Sequence, residues 1–433
     1  MNFAETEAYL LSLGNEVSAM KLGLDNIRIL LAALGNPQNS YLKVQVAGTN
    51  GKGSVCAFLD SICRTAGVKV GLYTSPHLIS ITERVRINGV DINESDFARL
   101  ATLIRSTAET LVESGTLEYT PTFFEQVTAI ALLAFAEAKI EVAILETGLG
   151  GRLDATTAAK AEIAAITRID LDHQKYLGDT IEEIAAEKSA IIHAGSRVVV
   201  GDQYFEALNV ILARCDKLAI KPFADCFSDK LALDMRRGSV VAVFKTEREI
   251  YHDSDLGLLG WHQLENAKVA VMVAETLKYE FHLPIDREIV LEGLENARHK
   301  GRLEYQGGYL FDGAHNVGGA KALVAYLQEF ETRPITLLFG AMDDKPVADM
   351  LELLVPRAAK IVLTQPSNER SLHYDELLEA MPGDRTNETT FVTDSVANGL
   401  DIAEAVTPDD GIILVTGSLY LIGDVKREVA KRS

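Results

Sequence analysis

Short runs of apolar, largely β-branched residues alternate with helical patterns along most of this chain. Leu42–Ala47 reads as a strand, Ser54–Ala66 as a helix and Val68–Tyr73 as a strand. Phe123–Ala138 reads as a helix, and Ile140–Leu145 and Ile163–Thr167 as further strands. Thr180-Ile-Glu-Glu183 is a capping box that opens a helix running through Ile192. Nearly continuous apolar strands are expected where both faces of a parallel sheet are covered. Strands alternating with helices specify a doubly wound α/β fold. The rhythm restarts at Tyr309–Phe311 and continues through Ile335–Phe339, Lys360–Leu363, Thr390–Val392 and Ile412–Val415. The basic, glycine-containing stretch Arg298-His-Lys-Gly301 marks a boundary, giving domains of residues 1–298 and 299–433. Tyr204–Asp253 breaks the pattern and reads as an insert or a sheet edge.

A chain of 433 residues with 47% apolar and 24% charged residues can bury a large core without disulfides or structural metal. The net charge of −20 argues against a nucleic acid or an anionic membrane as the main partner, because either needs a positive field. Small anionic ligands need only a local basic pocket. The four cysteines form no C-x-x-C pair, and Cys56 and Cys63 fall on one face of a helix, where core packing is expected. The acidic start MNFAETEAYL lacks the basic and apolar regions of a signal peptide, and no apolar stretch reaches the length of a membrane span. A cytoplasmic monomer is the expectation.

The strongest local signal is Gly48-Thr-Asn-Gly-Lys-Gly-Ser54, between a strand and a helix. Small residues let the backbone aim its N–H groups at phosphate oxygens, and the helix N-terminus adds positive potential. Lys52 can reach the β- and γ-phosphates. Gly53 separates that lysine from Ser54, so the strict G-x-x-x-x-G-K-[ST] spacing is not met. Such a loop serves kinases, GTPases, ATPases and ligases alike.

Glu146 ends the strand Ile140–Leu145 and precedes Thr147-Gly-Leu-Gly-Gly-Arg-Leu-Asp154. The carboxyl ends of such strands are where open α/β sheets bind ligands, which makes Glu146 a candidate Mg²⁺ ligand. Ser75, in Ser75-Pro-His77, lies just past another strand, where its hydroxyl could join an oxygen-rich shell or cap a turn. His173 is a candidate ligand or a hydrogen-bonded structural histidine. Lys188 reads as a surface lysine unless it is buried; then a lowered pKa would let it take up carbon dioxide as a carbamate.

Taken together, the stretches AGTNGKGS, YTSPHL, TERVRING, PTFFE, LETGLGGRLDATT, LDHQKYLGDT, EKSAII, HQLENA, GRLEY, FDGAHN and TGSLYLIGDV resemble the folylpolyglutamate synthase/dihydrofolate synthase family of the Mur ligase superfamily. The resemblance runs from about residue 20 to 425. It implies a Mur-ligase-like α/β fold, with a P-loop ATPase domain on a mainly parallel sheet followed by a Rossmann-like domain. It implies that Thr49, Asn50, Gly51, Lys52, Gly53 and Ser54 hold ATP, with Asn266 at the adenine and Arg302 and Asp312 reaching in from the second domain. Ser75, Glu146 and His173 would hold magnesium, as two ions. Lys188 would carry the carbamate, and His315 would act near the phosphoryl or glutamate end. The pterin pocket would use Leu22, Thr122, Phe123, Phe124, Leu153, Asp154 and Ala155. The implied reaction joins L-glutamate to dihydropteroate and to reduced folates through an acyl phosphate. A folate-only ligase, a cell-wall ligase acting on a UDP-linked muramoyl peptide and a non-catalytic nucleotide-binding module are the rivals. The chain departs from the family pattern at Ser189-Ala190, at Thr157 where an asparagine is common, and at Val317 where a proline is common.

Overall fold

The computed structural model describes residues 1–14, 23–234, 238–383 and 389–432. Its strands are β1 (Leu42–Ala47), β2 (Val70–Tyr73), β3 (Val85–Ile87), β4 (Val90–Asp91), β5 (Val142–Glu146), β6 (Ile163–Ile166) and β7 (Arg197–Val200). They form one sheet in the order β4-β3-β2-β5-β1-β6-β7. The pairs from β2 to β7 are parallel, and β3 and β4 extend one edge antiparallel. Central strands such as β5 are buried along their whole length, as the apolar runs require. Helices cover both faces. Lys52–Thr65 and His262–Phe281 share one apolar layer, while Glu94–Glu113 and Phe123–Glu137 lie in the other. Cys56 and Cys63 are fully buried in the first layer.

The stretch Tyr204–Asp253 holds a helix, Phe205–Lys217, and then departs from the main sheet. With β8 (Cys226–Asp234), β9 (Ser239–Thr246) and β10 (Ile250–Asp255) it forms a separate antiparallel sheet in the order β10-β9-β8. The alternating burial of β9 is the signature of a sheet covered on one face only. Val240, Ala242, Phe244 and Tyr251 pack into the layer shared with Lys52–Thr65.

A second six-stranded sheet follows. β11 (Glu304–Gln306), β12 (Tyr309–Phe311), β13 (Ile335–Phe339), β14 (Lys360–Thr364), β15 (Thr390–Thr393) and β16 (Ile412–Thr416) lie in the order β11-β12-β16-β13-β14-β15. Only the β11–β12 pair is antiparallel. Separate apolar clusters fill its two faces.

The two sheet systems touch closely at Leu78, which packs against the apolar cluster of the second sheet. A Cβ at Gly423 would lie 1.9 Å from the Leu78 carbonyl oxygen, so only glycine permits this approach. Arg427 Nη1 donates to the Ile79 carbonyl at 3.2 Å. No helix among the described residues is long and apolar enough to cross a membrane.

Candidate active site

The carboxyl ends of β1, β5 and β6 face those of β12, β13 and β16 across one cavity of about 480 Å³. Ligands sit at such strand ends because the loops there are free to vary while the strands fix their roots. Thr49–Ser54, Ser75, Glu146, Leu153–Ala155, His173, Lys188, Asn266, Arg302, Asp312 and His315 all line it. Leu22 lies outside the described residues.

The glycine-rich loop is pinned from below. The amides of Thr49 and Asn50 both donate to the Arg168 carbonyl, at 2.9 and 3.2 Å. Thr49 Oγ1 donates to the Asp170 carbonyl and Thr167 Oγ1 to that of Asn50. Gly51 caps the helix Lys52–Thr65 at φ 90°, a left-handed conformation that glycine adopts without steric cost. The first turn of that helix leaves N–H groups without intrahelical acceptors.

Two lysines converge on the loop. Lys52 Nζ donates to the Gly48 and Thr49 carbonyls, each at 3.0 Å. Lys188 Nζ donates to the same Gly48 carbonyl at 2.9 Å. Lys188 is 4% exposed, so it is no surface lysine. Burial, reinforced by the Lys52 charge, brings its pKa down to about 7. Burial also lowers that of Lys52, against the pull of Glu146 and Asp172. Glu146 accepts from the Ser75 amide at 3.4 Å. Burial raises its carboxyl above the ordinary range, with Lys52 and Arg302 opposing.

The wall facing the loop is built by the start of the helix Phe123–Glu137 and by the segment after β5. Thr122 caps the helix Phe123–Glu137 in a reciprocal box with Glu125. Phe124 then lines the cavity and packs near the Tyr73 ring, 6.1 Å away. Phe123 turns into the core beneath Arg84, because neighbouring helix positions point about 100° apart. Asp154 is consumed by its own segment, accepting from the amides of Gly148, Leu149 and Thr156. Asp312 likewise accepts from the amides of Leu303 and Ala314. Asn266 donates to Gln263 Oε1 at 2.9 Å and stands over Gly51.

The opposite wall holds groups that sequence reasoning did not single out. Lys345, buried just past β13, donates to Asp172 Oδ1 at 2.7 Å and lies 3.3 Å from His173 Nε2. Asn316 Nδ2 donates to Asp172 Oδ2 at 3.0 Å and to Asn50 Oδ1 at 3.1 Å. The Lys345 cation leads in holding the Asp172 carboxyl far below its usual range, against burial. His315 Nε2 lies 3.8 Å from Asp172, and burial lowers its pKa to about 3. Lys345 lies in the loop after β13, on the side of the sheet where open α/β folds bind ligands, and that placement was the available, weaker signal.

Ser75 and Glu146 are therefore neighbours, whereas His173 is engaged by the Asp344–Lys345 stretch. His173 Nδ1 is buried, 3.2 Å from Asp344 Oδ2 and without hydrogen-bond geometry. Among the described residues no group of three or more His, Cys, Asp or Glu side chains is poised to hold a metal ion. A hard cation here would draw on a mixed set of donors. A hydroxyl, a buried carboxylate and an unsatisfied imidazole nitrogen suit that role.

Comparison with known proteins sharpens this picture. The model for the Mur ligase middle domain matches residues 46–274, and that for the Mur ligase, glutamate ligase domain matches residues 301–419. The dihydrofolate synthase/folylpolyglutamate synthase of Bacillus subtilis is 35% identical, over 95% of each chain. A probable bifunctional folylpolyglutamate synthase/dihydropteroate synthase of Haloferax volcanii is 36% identical over 94% of this chain, which spans only 48% of that longer relative. The solved structure of Escherichia coli FolC in complex with DHPP and ADP superposes with a TM-score of 0.87 at 28% identity, covering 100% of this chain and 99% of that one.

Proposed function

The chain belongs to the Mur ligase family, in its dihydrofolate synthase/folylpolyglutamate synthase branch, and from that premise we propose that it uses ATP to join L-glutamate to dihydropteroate and to reduced folates. The observation that supports this reading most is the convergence in one cavity of the phosphate loop, the Lys52–Lys188 pair, Glu146 and the Phe124–Leu153–Ala155 wall. Residues 1–298 supply the nucleotide and pterin side, and 299–433 the glutamate side.

A carboxylate is a poor electrophile, so ATP must activate it. A carboxylate oxygen of the pterin substrate attacks the γ-phosphorus, ADP leaves and an acyl phosphate forms. The amine of L-glutamate then attacks the acyl carbon, inorganic phosphate leaves and an amide bond remains. Lys52 and Arg302 offset charge as two anions approach, and the loop amides orient the triphosphate. Asn266 faces the adenine. Phe124, Leu153 and Ala155 offer an apolar wall for a flat ring, and Thr122 and Phe123 hold the helix that carries Phe124. His315, held neutral, stands at the side where glutamate would enter. Ser75, Glu146 and His173 would hold Mg²⁺, two ions in all, and Lys188 as a carbamate would add oxygen donors. Bound there, the metal supplies neutralisation of the phosphate charge. The enzyme acts in the cytoplasm as a monomer.

The test is phosphate release with ATP, Mg²⁺ and L-glutamate, adding dihydropteroate, tetrahydrofolate or a UDP-muramoyl peptide in turn. Release with both pterins is expected. Release with tetrahydrofolate alone removes the dihydrofolate synthase half, and release with neither overturns the proposal.

A further inference from the structure

One buried amide lies beneath both halves of the site and takes no part in the chemistry just described. Gln45, on β1, is 1% exposed. Its Nε2 reaches three threonine hydroxyls of the segment after β5: Thr147 at 3.1 Å, Thr156 at 2.9 Å and Thr157 at 2.8 Å. The protons of two of these are already committed. Thr156 Oγ1 donates to Asp154 Oδ1, and Thr157 Oγ1 donates to the Gly151 carbonyl at 2.7 Å. Both hydroxyls can therefore only accept from residue 45, which must present N–H groups to them. A carboxylate at this position would face two oxygens with no proton left to give.

The network continues to the cavity wall. Asp154, tied by Thr156, gathers the amides of Gly148 and Leu149 on its other oxygen. Gly148, Leu149, Leu153, Asp154 and Ala155 line the cavity. In the other direction, β1 runs from Gln45 directly into Gly48 and the phosphate loop.

We infer that Gln45 is a positioning residue. It hangs the substrate wall from the strand that carries the phosphate loop, and so sets the separation between the γ-phosphate and the carboxylate that attacks it. Near-attack geometry is sensitive to displacements of about an ångström. This inference rests on the proposed ligase activity for its kinetic part only.

The experiment compares wild-type protein with Gln45→Leu, Gln45→Glu and Thr157→Val in two readouts. The first is steady-state kinetics beside calorimetric binding of ADP. Gln45→Leu should lower kcat/KM for dihydropteroate about 10- to 100-fold while ADP affinity stays within about twofold, and Gln45→Glu should be worse. Thr157→Val, which leaves β1 intact, should fall in the same direction by a smaller factor. The second readout is hydrogen–deuterium exchange. Amides of Gly148, Leu149 and Thr156 should exchange faster in the Gln45 variants, with residues 48–54 unchanged. Equal losses in ADP binding and dihydropteroate turnover, or Gln45→Glu no worse than Gln45→Leu, would overturn the inference, as would unchanged exchange over 147–157. A wild-type protein inert toward both pterins, with the exchange difference intact, would sink the ligase reading and leave the anchoring role standing.

Discussion

The two walls of the cavity are built by different means. On the side of the first sheet, segments of the same unit are fixed to one another, largely through backbone groups and with the Gln45 amide beneath them. The Arg168 carbonyl holds two loop amides, and Asp154 holds three amides of its own segment. On the side of the second sheet, side chains do the joining: Lys345 and Asn316 both reach across to Asp172. Backbone pinning gives a wall that stays in place whether or not the cleft is closed. Long side chains that meet across a cleft give a wall that is complete only when the two sides are together. A surface for phosphoryl transfer benefits from the first kind of wall, and control over when water is excluded benefits from the second.

The sharpest way to break this contrast is to remove one buried lysine from each side. Lys188→Ala should cost about 1,000-fold in turnover with little change in melting temperature, and added bicarbonate should not restore it. Near-wild-type phosphate release would show that the lysine serves packing alone. Lys345→Met should act on assembly. Leaving Asp172 buried without its cation costs about 3 kcal/mol, and small-angle scattering should show a larger radius of gyration. An unchanged radius together with unchanged stability would refute the latching role. A pH series sharpens the comparison further. The pKa of Lys188 is depressed from 10.5 to about 7, so between those values the unfolded chain binds a proton that the folded chain does not. Stability through this group therefore rises with pH across that window and is flat below it. Turnover should fall as pH drops through about 7, because only the neutral amine can carry a carbamate. A turnover profile flat through that range would contradict it. The smallest effect belongs to Thr122→Ala, which removes a helix cap worth about 1 kcal/mol. It should lower the melting temperature by a few degrees and raise the KM for the pterin more than that for ATP. No change in either would detach the cap from the substrate wall.

The sequence was most legible where local chemistry decides structure. β1, β12 and β13 lie where apolar-rich, β-branched runs placed them, and the box at Thr180–Glu183 opens the helix Ile181–Ser189. The phosphate loop and Glu146 were readable for the same reason: strand ends and glycines leave a local mark. The short edge strands β3, β4 and β11 carry too few residues for a period to show, and the separate sheet β8–β10 looked like an interruption because its strands alternate while their neighbours do not. Lys345 escaped because a charged residue in a loop looks solvated until a carboxylate from 173 positions away is known to face it. Gln45 escaped because a single amide within a strand reads as a residue on its less buried side, and its partners lie more than 100 positions away.

The fit between Leu78 and Gly423 carries a consequence for motion. Leu78 sits three residues beyond Ser75, whose amide touches Glu146. A displacement of the helix Leu419–Arg432 would therefore pull on a short tether that ends at Glu146, the carboxylate proposed to hold Mg²⁺. The contact between the two sheets and the proposed metal site thus share one stretch of chain, and a shift at one end would be felt as strain at the other.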